Sequence, residues 1–231
     1  MMPARGLLAL MRLASPALPI GGFSYSQGLE TAIELGWVRN EADVREWLES
    51  LLLGNVGGFE APLCRALFEA ILTHRLDEAD RLHARYLASR ETGELRAETL
   101  QMGQSLLQVL AGLSEVDAGC AGLLTGWRQG AQPCALPRAW GLAARVFGLD
   151  ADSALSAYLW AWLENQVMAA IKAVPLGQQA GQRLFSSLQP VLADVIEQGA
   201  RQPECTWSNF APGFALASSR HETQYSRLFR S

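Results

Sequence analysis

Side chains able to do covalent or metal chemistry are scarce. His74, His83 and His221 are the only histidines, Cys64, Cys120, Cys134 and Cys205 the only cysteines, and Lys172 the only lysine among 19 Lys and Arg. No two cysteines lie within five residues of each other, so the paired spacing of a Cys/His zinc site is missing. Lys172 follows Ala170-Ile171 and not a glycine, which rules out a phosphate loop of the GxxxxGK[ST] kind. A di-iron helical bundle needs two Glu-x-x-His pairs, and none occurs. Gly22-Phe-Ser24-Tyr-Ser26 resembles a nucleophile elbow, but Ser26 stands where the last glycine belongs and no strand pattern precedes it. The enzyme reading that survives is a helical hydrolase or metal enzyme built on His83 or His221 with nearby carboxylates. Against it, His83 lies on an apolar stripe, where a satisfied core histidine is expected. His221 beside Glu222 does not by itself make a metal site.

The elements that must position these residues are helices. Val44, Trp47, Leu48, Leu51 and Leu52 recur at i, i+3, i+4, i+7, i+8, one face of a helix, with Asn40 as its N-cap. Gly57 and Gly58 end or bend that element. Further stripes follow: Cys64 to Leu72, Ala79 to Leu87 with Asp77 as cap, Leu95 to Leu113, Leu155 to Ile171, and Leu184 to Ile196 opened by Pro175. No stretch keeps a period of two, and no Asn-Gly or Asp-Gly hairpin turn occurs. Gly119 to Leu149 is less regular and is read as a loop with one or two shorter helices. The fold class expected is all-α: a single-domain antiparallel helical bundle over 1–217, followed by a C-terminal interaction tail at 218–231.

The 231 residues are 49 % hydrophobic and 18 % charged, which excludes a disordered chain. A net charge of −4 leaves no basic field for nucleic acid, and lysine clusters are absent. The most apolar stretch, Ala151 to Leu176, contains Asp152, Glu164, Asn165, Gln166 and Lys172, too polar for a membrane span. The N-terminal apolar run is short and interrupted by Arg12 and two prolines, a poor match to a signal peptide. Four widely spaced cysteines suit a reducing compartment. The expectation is a cytoplasmic protein with no membrane and no nucleic-acid partner.

Two segments do not fit a plain bundle. Ser15 to Glu30 reads as a loop followed by a helix beginning near Ser24. The tail from Ser218 keeps Tyr225, Leu228 and Phe229 at i, i+3, i+4, with Arg220, Arg227 and Arg230 against Glu222, a balance of +2. Such a stripe must bury against its own domain or against a partner. Trp160 points about 110° away from the apolar stripe of its helix, toward either a second core layer or an oligomer contact. The charged run Arg90, Glu91, Glu94, Arg96, Glu98 is read as a solvated face.

Four segments taken together closely resemble the UreF family of urease accessory proteins. They are Ser15 to Glu30, Glu94-Leu-Arg-Ala-Glu-Thr-Leu-Gln-Met-Gly103, Lys172-Ala-Val-Pro-Leu-Gly-Gln178 with Gly181-Gln182, and His221 to Ser231. They follow in order from residue 7 to Ser231; Gly119 to Ala135 carries no motif that aligns. The resemblance implies an all-helical homodimer that is not an enzyme and has no cofactor or metal site of its own. It implies a scaffold for UreD (also called UreH) and the GTPase UreG during nickel insertion into apo-urease, with an influence on UreG's GTPase. Carried onto this sequence, Arg220, His221, Glu222, Tyr225, Arg227, Leu228 and Phe229 would contact UreD/UreH, with Tyr225 and Phe229 as anchors. Phe23, Tyr25, Glu30, Trp160, Lys172 and Gln178 would lie at the dimer or UreG surface.

Overall fold

In the computed structural model, which describes residues 3–130 and 132–231, every regular element is helical. In chain order these are α1 (Ala4–Ala14), α2 (Leu29–Glu34), α3 (Glu41–Leu51), α4 (Ala61–Leu72), α5 (Leu76–Ala88), α6 (Gly93–Ala111), α7 (Ala118–Gln129), α8 (Leu136–Phe147), α9 (Ala151–Ala173), α10 (Gln178–Gly199) and α11 (Pro212–His221). Asn40 caps α3 as expected, its side chain accepting from the Ala42 and Asp43 amides. Asp77 does not cap α5; it sits in the first turn, where its charge still favours the helix N-terminus, and Arg75 takes the cap position. Pro175 precedes α10, which opens at Gln178 behind Gly177.

Gly57 and Gly58 bend the chain without ending the helix. Leu52–Glu60 is a π-helical segment that runs α3 directly into α4. The wide turn frees the Gly58 carbonyl, which accepts from the Ser208 amide at 2.9 Å. A Cβ on Gly58 would lie 2.8 Å from the Ser208 carbonyl oxygen, so only glycine allows that approach.

The irregular stretch from Gly119 to Leu149 contains α7 and α8, and α8 is the centre of the molecule. Every residue from Leu136 to Ala144 is buried, between α4 on one side and α6 on the other. Its apolar residues Leu136, Ala139, Trp140, Ala143 and Phe147 do recur at helical spacing; Pro137 and Gly141 make the stretch read as irregular, yet Pro137 lies in the first turn, where proline is tolerated. Both contacts depend on glycine. A Cβ on Gly141 would meet Ile71 Cδ1 at 2.6 Å, and one on Gly103 of α6 would overlap the Cys134 carbonyl and the Ala135 backbone. Trp140 on α8 donates its indole N–H to the Ala154 carbonyl at 3.0 Å and meets Tyr158 edge-on at 5.4 Å. Beneath it, Glu60 accepts from Tyr158 Oη at 2.7 Å and pairs with Arg90 at 3.1 Å.

The solvated-face reading of Arg90 to Glu98 is wrong at its two ends. The Arg90 side chain is 6 % exposed and Glu98 is 6 % exposed, whereas Glu91 and Arg96 do face solvent. Leu95, Glu98, Thr99 and Met102 lie on one side of α6, so Glu98 is carried into the core by the same periodicity that buries its neighbours. Among the described residues no helix is long and apolar enough to cross a membrane.

Candidate functional site

The segment from Gly21 to Glu34 is a short 3-10 turn at Gly22–Ser24, then two residues with positive φ, then α2. The helix expected near Ser24 begins at Leu29 instead, because Gln27 (φ 53°) and Gly28 (φ 78°) turn the chain first. Gly28 is required twice over: a Cβ there would be strained, and would lie 3.1 Å from the Ser218 amide of α11. Ser24 and Ser26 form no nucleophile elbow; Ser26 is buried and donates its hydroxyl to the Ser231 main-chain oxygen at 2.7 Å.

The tail folds back onto this segment. Glu30 on α2 accepts the Leu228 amide at 2.6 Å with one carboxylate oxygen and the Phe229 amide at 2.9 Å with the other. His221, at the end of α11, is fully buried between two carboxylates, with Nδ1 2.6 Å from Glu94 and Nε2 3.5 Å from Glu30. Glu94 also takes Arg227 at 2.5 Å. Glu222 accepts from the Gly93 and Glu94 amides at the start of α6, adding an acidic group to the helix N-terminus. At the end of the tail, the Ser231 main-chain oxygen accepts the Ser26 and Gln27 amides at 2.9 and 3.0 Å, and Ser24 accepts the Arg230 amide at 2.8 Å. Glu98 holds both sides, accepting from Gln27 Nε2 and from Ser231 Oγ, each at 2.6 Å.

The seven tail residues thus divide. His221 and Phe229 face inward, and Phe229 joins the main hydrophobic core. Tyr225 and Leu228 face out, at 105 % and 72 % exposure, and Arg220, Glu222 and Arg227 are exposed around them. The paired anchors of the sequence reading therefore separate: Tyr225 is free to meet a partner, while Phe229 anchors the tail to its own domain. The 217/218 boundary falls inside α11.

The same cluster takes in the third segment. Lys172 Nζ stands 5.9 Å from the ring centres of both Phe23 and Phe229, a cation between two aromatic faces. Phe23 is exposed, whereas Tyr25 is buried and donates to Gln101 at 2.9 Å. Burial pushes the Tyr25 phenol up. Gln178 opens α10 in solvent and takes no part in these hydrogen bonds among the described residues. Trp160 lies about three turns up α9 from Lys172 and stacks on Phe185 of α10, centroids 5.5 Å apart. Behind the cluster a cavity of about 230 Å³ opens beside Phe23, walled by Leu18, Met102, Trp140 and Trp162, with the buried Glu98 and Tyr158 also in its lining.

Chemically these groups fasten segments of the chain to one another: the carboxylates are occupied by main-chain amides, an imidazole, a guanidinium and, at Glu98, a side-chain amide and a hydroxyl. Among the described residues no three His, Cys, Asp or Glu side chains are grouped to hold a metal ion. His83 is buried elsewhere: its Nε2 accepts the Ala135 amide at 3.0 Å, and burial lowers its pKa to about 4, so it is a neutral acceptor inside the core. Glu94, Glu98, Gln27 and Ser231 lie in the family segments but are not among the site residues expected from sequence, where Glu94 and Glu98 read as part of a solvated face. The position of Glu98 between Leu95 and Met102 on an apolar stripe was the available signal.

A family model described as UreF matches residues 38–189. The chain is 55 % identical over 235 residues to a urease accessory protein UreF of Azoarcus sp. (strain BH72), covering 99 % of this chain and 98 % of that one. The chain belongs to the UreF family. A UreF of Pseudomonas aeruginosa (strain LESB58) is 50 % identical over 96 % of this chain and 98 % of its own length. That of Dechloromonas aromatica (strain RCB) is 45 % identical over 97 % of each. Each of the four segments through which the sequence resembles UreF, dispersed from Ser15 to Ser231, contributes to the cluster of Glu30, Glu98, Lys172 and Phe229, the third through Lys172 alone.

Proposed function

We propose that this UreF chain is a cytoplasmic, non-catalytic adaptor that holds UreD/UreH and the GTPase UreG together while nickel, as cargo, is inserted into apo-urease. The tail face, with Tyr225, Leu228, Arg220, Glu222 and Arg227, takes UreD/UreH, and His221 and Phe229 hold that face in place from beneath. The adjoining surface of Phe23 and Lys172, with Tyr25 and Glu30 supporting it and Gln178 at its edge, takes UreG and alters its GTP turnover. The convergence of the four dispersed segments on one cluster carries this reading. An exposed tyrosine beside arginines on a segment held by hydrogen bonds has the composition of an interface hot spot.

The chain is proposed to act as a homodimer through the α1 and α9 side. There α1 packs on α9 and leaves Leu7, Leu8 and Met11 exposed at 51 %, 67 % and 58 %, an apolar stripe wanting cover. Trp160 on α9 lies in the region assigned to this contact.

Co-purification with UreD and UreG, followed by GTP turnover, tests the adaptor reading. A ternary complex is expected, with UreG turnover changed when the chain is added. Failure of either partner to co-purify, or turnover that is the same with and without the chain, would remove that part of the proposal.

A further inference from the structure

The seat of the tail contains one group whose charge the fold does not neutralise. Glu98 is nearly enclosed, and the two atoms hydrogen-bonded to it, Gln27 Nε2 and Ser231 Oγ, belong to neutral side chains. The cations and the tyrosine around it are otherwise engaged, the Tyr25 phenol with Gln101. Arg90 is paired to Glu60. Arg227 and His221 are held by Glu94, and Glu30 by the tail amides and His221. Lys172 lies between Phe23 and Phe229, and Glu164 lines the same cavity as Glu98. Arg230 reaches toward Gln101. No cation is hydrogen-bonded to Glu98 among the described residues, so ionising it buries a charge held by neutral donors alone.

A protonated Glu98 keeps both contacts: one oxygen accepts from Gln27, and the other donates its proton to Ser231 Oγ. An ionised Glu98 gains from contact with water, and the groups covering it are the end of the tail and the Gln27 turn. We propose that Glu98 and Ser231 form a proton-operated latch: the tail end stays seated on Ser26 and Gln27 while Glu98 is protonated and lifts when Glu98 ionises.

The direction follows from linkage. Burial pushes Glu98 up from 4.5 to about 7, against the lowering effect of the bonds from Ser231 and Gln27. Once the tail lifts and water enters, the pKa falls back toward the ordinary carboxylate value. A group whose pKa is higher in the seated state favours that state fully at low pH. The preference is lost as pH rises through the open-state value to about 7, and then levels off. Seating therefore weakens by about 40-fold between pH 5 and 7 and about twofold more by pH 8.

Amide hydrogen exchange on the full chain, with rates corrected for intrinsic chemistry, tests this without any partner. Protection of the Gln27 amide, bonded to the Ser231 oxygen, is expected to fall by about 40-fold from pH 5 to 7 and by only about twofold from 7 to 8. The Trp140 amide in α8 serves as the internal reference for global opening. Glu98→Gln, which preserves shape and both hydrogen bonds, is expected to hold the protection high and flat with pH. Ser231→Ala is expected to lower protection already at pH 5, whereas His221→Gln keeps the pH dependence. A Glu98→Gln protein with undiminished pH dependence, or a wild-type profile flat from pH 5 to 8, would overturn the latch. So would loss of the pH dependence in His221→Gln alone.

Discussion

Glu30→Ala is expected to loosen the tail and weaken capture of UreD/UreH while leaving most of the helical circular-dichroism signal. Glu30 is 8 % exposed, accepts two tail amides and stands against His221. Removing its carboxylate leaves the Phe229 amide buried without a partner and strips one side of the imidazole. Hydrogen bonds to an ionised group contribute about 1.5–3 kcal/mol each, so losing two costs about 3 kcal/mol or more. Phe229 burial opposes release with about 2 kcal/mol, less than the loss. A freed tail must be ordered again on binding, which weakens the complex by that difference, about 1 kcal/mol or about fivefold in affinity. The substitution is more selective than truncation after Ala217, which would also remove His221 and Phe229 from the core. Binding by Glu30→Ala at wild-type affinity, with the tail amides still protected from exchange, would show that the seat does not prepare the partner surface.

Leu8→Asp is expected to convert the proposed homodimer to a monomer of 25.1 kDa by light scattering. Leu8 is 67 % exposed, so an aspartate there costs the isolated chain little. In a closed two-fold interface each substitution appears twice, and a charge buried without a partner costs several kcal/mol per copy. Trp160→Asp is expected to act in the same direction but less cleanly, because it also removes the stack on Phe185. A dimer mass unchanged in both variants would place the contact elsewhere. Loss of the dimer in Trp160→Asp alone would point to the α9–α10 side in place of α1.

Much of the helical architecture was legible because most helices are half-buried, and half-burial writes a stripe into the sequence. α3 with its Asn40 cap, the α4 and α6 faces and the long α9 follow from spacing alone. α8 carries its stripe too, but Pro137 and Gly141 read as breaks, whereas Pro137 sits in the first turn and Gly141 makes room for Ile71. The π segment at Leu52–Glu60 was hidden for a similar reason: its two glycines read as a break, whereas one of them makes room for the Ser208 backbone. Arg90 and Glu98 were misplaced because charge was taken to mean solvent. Arg90 is buried with Glu60 to meet it, and Glu98 because its helical position leaves no alternative.

The site was legible in parts and not as a whole. Each of the four family segments could be quoted from the sequence, but nothing in their spacing shows that Glu30 holds Leu228 and Phe229, nearly the full chain length away. The inward or outward direction of each tail residue was equally hidden. An i, i+3, i+4 stripe assigns Tyr225, Leu228 and Phe229 to one helical face, yet α11 ends at His221 and the rest of the tail is extended and turned. The helical spacing therefore does not apply, and Phe229 goes into the core while its neighbours face solvent.

The central claim is that the outward side chains above the Glu30–His221–Phe229 seat are a partner-docking face. The most direct measurement is complex formation with UreD and UreG, read by size exclusion with light scattering, for single variants on that face. Tyr225→Ala and Leu228→Asp are expected to lose UreD, and Phe23→Ala and Lys172→Ala to lose UreG. Each should retain the wild-type melting temperature, while Leu53→Ala and Phe210→Ala, exposed apolar positions elsewhere, form the complex normally. Wild-type assembly by all four face variants, or equal loss in the two controls, would contradict the account.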